Sequence, residues 1–91
     1  MAAKTPDSVA TLSMGNKKLT IGHFNSTNID DNDTWDTGLS SVTSLETTSI
    51  WTAQTSEGPM DFQVDGISAG VLTFSSASNV TGHVFILSAD Y

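Results

Sequence analysis

The sequence holds no cysteine and no arginine, and only two prolines. Without cysteine there is neither a disulfide framework nor a thiolate zinc site. No apolar run approaches the roughly 18–20 residues of a membrane-spanning helix. Cations are scarce: three lysines stand against ten Asp and Glu, for a net charge of −7. A protein that tracks nucleic-acid phosphates needs Lys and Arg to displace counterions, so the balance argues against that class. What is abundant is hydroxyl, with 13 Ser and 13 Thr among 91 residues. That length is one domain's worth of chain.

The few cations are crowded at one end. Residues 1–18 hold Lys4, Lys17 and Lys18 against Asp7, while residues 19–91 hold nine acids and no Lys or Arg. The plain reading is that acids keep a hydroxyl-rich surface soluble. The sharper reading is that the N-terminal end reaches onto a neighbour's acidic surface. No 7–15-residue apolar segment follows the N-terminus, so no secretory signal is expected and synthesis in a cytoplasm is. Three N-x-[ST] sequons, at Asn25, Asn32 and Asn79, carry no weight in so hydroxyl-rich a chain.

Strand signals dominate. Ser8–Met14 alternates, Gly15-Asn16 suits a tight hairpin turn, and Lys17–Phe24 resumes the alternation. Residues 25–38 form a long polar excursion with four Asp and three Asn. A strand is expected over about 43–53, where crowded Thr and Ser disfavour a helix. In residues 60–64, Met60, Phe62 and Val64 alternate inward, and Asp65-Gly66 is expected to turn the chain. Residues 71–74 make the next strand. The last, 82–89, is apolar on both faces, with Val84 and Ile86 on one and Phe85, Leu87 and Tyr91 on the other. Such a strand is central, or covered by another subunit. The expectation is an all-β fold, one small antiparallel sandwich or barrel of about six strands over 8–91, behind a flexible arm over 1–7. A small chain without cysteine or metal has a modest core, which points to a homo-oligomer or to docking on a larger surface.

Chemistry is thinly signalled. Gly66-Ile-Ser-Ala-Gly70 matches G-x-S-x-G, but a strand follows it and no acid lies between Ser68 and His83, so it reads as a turn. The acidic loop is the best candidate ligand site, with Asp31, Asp33, Trp35 and Asp36 as the residues concerned. Its oxygens suit Ca²⁺, although the EF-hand order fails at Trp35, and an exposed Trp beside Asp and Asn could stack on a sugar; the plain reading is a solvated loop with Trp35 tucked back as an anchor. His23 and His83, on separate strands, are a weak metal pair and read better as polar or subunit contacts. Trp51 reads as core or interface packing. No cofactor and no catalytic set is expected.

The stretches Met14–Phe24, Asp36–Val42, Gly70–Phe74 and Thr81–Leu87 resemble, in rhythm and composition, small β-rich virion proteins of tailed bacteriophages. The resemblance implies a non-enzymatic decoration or cement protein on the capsid surface of the virion. It would contact several subunits of the major capsid protein, as a homo-oligomer whose trimeric number is implied by analogy alone. On that reading Phe85, Leu87 and Tyr91 supply an inter-subunit face. Lys4, Lys17 and Lys18 clasp a neighbour, and the 25–38 loop faces out. The alternative is a virion surface or tail module that recognises a host glycan through the acidic loop and Trp35. Neither reading involves nucleic acid or a membrane.

Overall fold

The computed structural model describes residues 2–89. Seven strands cross them: β1 (Ser8–Met14), β2 (Lys17–Ile29), β3 (Thr34–Asp36), β4 (Ser49–Gln54), β5 (Phe62–Ser68), β6 (Val71–Ser76) and β7 (Val80–Ser88). They form two antiparallel sheets, β1-β2-β7-β4 and β3-β6-β5, packed as an open sandwich and not a closed barrel.

Alternation decides which side chains meet between the sheets. Phe24 from β2 and Val84 and Ile86 from β7 face Phe74 and Leu72 of β6, and all five are fully buried. Phe24 sets its ring edge-on to Phe74 at 5.7 Å, the arrangement the aromatic quadrupole favours. Strand β7 is therefore central, which accounts for its Val84–Ile86 face.

Four details depart from the sequence reading. The polar excursion contains a strand, β3, which pairs with β6 through Thr34↔Thr73, Trp35↔Leu72 and Asp36↔Val71. This strand brings the number to seven. The strand expected over 43–53 is confined to Ser49–Gln54. Asp65-Gly66 does not turn the chain: the register slips there as a bulge, and β5 continues to Ser68. The turn falls at Ala69-Gly70, where φ is +50° and +82° at successive positions, as a tight hairpin matched to strand twist requires. Met60, expected inward, precedes β5 and is 76% exposed.

The segment expected to be an arm is docked on the body. Ala3 bridges Thr34 in parallel, with Lys4 N–H donating to Thr34 O at 2.7 Å and Thr34 N–H to Ala2 O at 2.9 Å. Residues 2–4 thus cover the free edge of β3, and Asp7 N–H then reaches His23 O on the other sheet at 2.8 Å.

Candidate functional site

The acidic loop is built for its own backbone. The Asp33 carboxylate, buried at 2% exposure, accepts N–H groups from Asp30 at 2.8 Å and Ala2 at 3.0 Å. Lys4 Nζ lies 3.6 Å from it. Asp31 accepts from Ser76 N–H, Asp30 from Asn79 N–H and Asp36 from Gly38 N–H. Trp35 is 5% exposed, edge-on to Phe24 at 5.6 Å and seated on Gly22. The Trp35 ring lies in the core, where the anchor reading puts it and where it cannot stack on a sugar, and the Asp33 oxygens face its own chain. Asp31 and Asp36 remain exposed at separate points. Among the described residues no three His or carboxylate groups converge as a metal would need.

The three lysines do not gather. Lys4 stands over Asp33 at the β3 edge, whereas Lys17 and Lys18 flank the hairpin tip between β1 and β2. Tyr91 lies outside the described residues.

Asp7 makes the tightest junction of the N-terminal segment. Its carboxylate collects the successive N–H groups of Asn25, Ser26 and Thr27 at 2.7, 2.6 and 3.0 Å, where β2 breaks register. Lost hydration pushes this carboxyl up. Hydrogen bonds from the Thr27 side chain and the three amides outweigh it and hold the pKa below 3.8. A carboxylate held low in the fold stabilises fully above its unfolded value, and that contribution is lost as pH falls through the folded value. The junction is therefore expected to survive acidification to pH 3.8 and to open below it. NMR titration of the Ser26 and Thr27 amides checks this, and Asp7→Asn should show the opened shifts at neutral pH.

The notable surface is the outer face of the four-stranded sheet. Register places the outward side chains in rows running from β1 to β4. One row is Leu12, Leu19, Leu87 and Ser49; the next is Ala10, Ile21, Phe85 and Trp51; the third is Ser8, His23, His83 and Ala53. Trp51 stacks on Phe85 at 5.4 Å with 6° between planes, and His23 on His83 at 4.5 Å with 8°. Among the described residues no layer covers these rows. Leu12, Met14 and Trp51 stay 58%, 50% and 48% exposed, where a packed core would leave almost nothing. The expected contact residues Phe85 and Leu87 lie here, half-buried only by their neighbours. Strand β1 also overhangs, since Val9 on its inward side is still 52% exposed. Leu12 was not among the expected contact residues, and Trp51 was read only as core or interface packing. The signal for them is the alternation of Ser49–Gln54 and Ser8–Met14, and it names a contact face only once the strands' neighbours are known.

Elsewhere the chemistry is sparse. Ser68 ends β5 and enters the hairpin turn, while His83 stands on the far side of the other sheet. A shallow groove of about 220 Å³ between β4 and β5 is lined by Thr52, Gln54, Met60, Asp61, Phe62 and Gln63, with one titratable group among them. Compared with known proteins, the chain matches no family, no curated protein and no solved structure.

Proposed function

We propose that the chain is a non-enzymatic virion structural protein of the capsid decoration or cement kind. It binds the outer surface of a phage head and stabilises it by contacting several major capsid protein subunits. The observation that carries the reading is the open sheet face, an exposed apolar surface on a domain of 91 residues. Leu12, Leu19, Leu87, Ile21, Phe85 and Trp51 form one apolar patch there, and patches of this kind serve protein contacts. The charges fit the same division: Lys17 and Lys18 lie at one end of the sheet, and the acids of the described residues lie off its outward positions. Many modest contacts across neighbouring capsid subunits then add through avidity.

Particles lacking the protein, mixed with purified chain and pelleted, test this. Saturable uptake is expected, with a rise in the temperature at which the heads rupture. Lys17→Glu with Lys18→Glu should weaken uptake about tenfold, more at low salt, because rim charges act on association and are screened. No uptake, or uptake indifferent to the charge reversal with no gain in head stability, overturns the proposal.

A further inference from the structure

Three features of the open face identify what covers it. The first is charge. The chain carries −7, so two copies meeting at most surfaces bring carboxylates together. The outward positions of the four strands hold no carboxylate among the described residues; their one cation, Lys17, lies at the hairpin tip. The second is area. Four strands spaced about 4.8 Å apart, each about seven residues of about 3.3 Å, cover roughly 450 Å² in projection. Even in projection this is over half of the roughly 800 Å² of accessible area that each partner gives to a standard interface. The third is shape. Along the middle row the side chains grow steadily, from Ala10 at one edge through Ile21 and Phe85 to Trp51 at the other.

We infer that a second copy of this chain packs on this face, with Trp51 of each copy over Ala10 of the other. A two-fold axis lying in the interface, roughly along the strands, exchanges β1 with β4 and keeps each row opposite itself. The tall edge of one sheet then fills the low edge of its mate, and Phe85 lies over Ile21. Facing sheets pack about 10 Å apart with strands within about 30° of one another. Such an interface is isologous and closes at two copies. The inference rests on the reading of this face as a protein contact and gives the face to the mate, which leaves capsid contact to the surfaces around it, the Lys17–Lys18 hairpin tip among them.

Sedimentation equilibrium over a dilution series, in buffer alone, tests it. The unaltered chain is expected to be a dimer. Ala10→Trp makes two bulky edges collide and Trp51→Ala leaves a gap, so each should weaken the dimer at least about tenfold. The combined variant exchanges large for small and should return to within about threefold of the original. Ala10 and Trp51 lie three strands apart in one chain, about 14 Å, so restoration can arise only between copies. Leu12→Lys, at a position exposed in the single chain, should give a monomer with an unchanged circular dichroism spectrum. A monomer or trimer at the outset, an association indifferent to these substitutions, or a combined variant that fails to recover overturns the inference. A dimer that behaves as expected but does not bind particles overturns the decoration reading alone.

Discussion

Trp35→Ala is expected to lower stability by about 3–5 kcal/mol, the range for emptying a buried large aromatic. The ring is 5% exposed, fills the space above Gly22 and sets its plane at 81° to Phe24. Nothing nearby can collapse into the void cheaply. Gly22 has no side chain to extend, and Phe24 is already pinned edge-on by Phe74. In a domain of this size each kcal/mol shifts the melting temperature by about 4–8 °C, so a fall of roughly 15 °C or more is expected. Thermal unfolding followed by circular dichroism measures it. The outcome also separates two roles for the acidic loop. A tryptophan offered to a sugar could be removed with little effect on melting, and a change of only a few degrees would return the loop to consideration as a ligand site.

Gly82→Ala is expected to be as severe, for a different reason. A Cβ at Gly82 would stand 2.3 Å from Ala53 O and 3.1 Å from Gln54 Cα, both backbone atoms of β4. A side chain can swing aside, but a strand paired along its length cannot. The Ala53↔His83 and Gln54↔Gly82 pairings must open instead. Overpacking costs about 1–3 kcal/mol where neighbours can adjust, and the upper end or more is expected here. The consequence reaches the surface, because β4 carries Trp51 against Phe85. Loss of both melting temperature and the near-ultraviolet circular dichroism of that stacked pair is the expected result. A variant that melts normally and keeps the signal would show that β4 tolerates displacement at this point.

Several elements were legible from residues alone. The β1–β2 hairpin was, because Gly15 takes φ +67° at the first turn position, where a side chain would be strained. So was the doubled apolar character of β7, since period-two alternation can be read without knowing the neighbours. In the acidic loop Trp35 as an anchor was legible, but the destination of the carboxylates was not. They are taken up by amides distant in sequence: Asp31 by Ser76, Asp30 by Asn79, Asp33 by Ala2. Hydrogen bonds across tens of residues leave no local pattern. Met60 misled because an alternating triplet does not reveal that the strand begins only at its second member.

The crowding of lysines at one end is real in sequence and is divided in space. Lys4 turns back onto Asp33 of its own chain, while Lys17 and Lys18 stay at the hairpin tip. The scarcity of charge acquires a location: among the described residues, the outward positions of β1, β2, β7 and β4 hold no carboxylate. By itself the sequence determined the fold class and the alternation of β1, the first half of β2 and β7, because these follow from local spacing and turn chemistry. Only the tertiary structure decided which faces meet and which stay open. Strand order β1-β2-β7-β4 aligns Ala10, Ile21, Phe85 and Trp51 across a sheet, and that alignment is set by pairing between residues far apart in the chain.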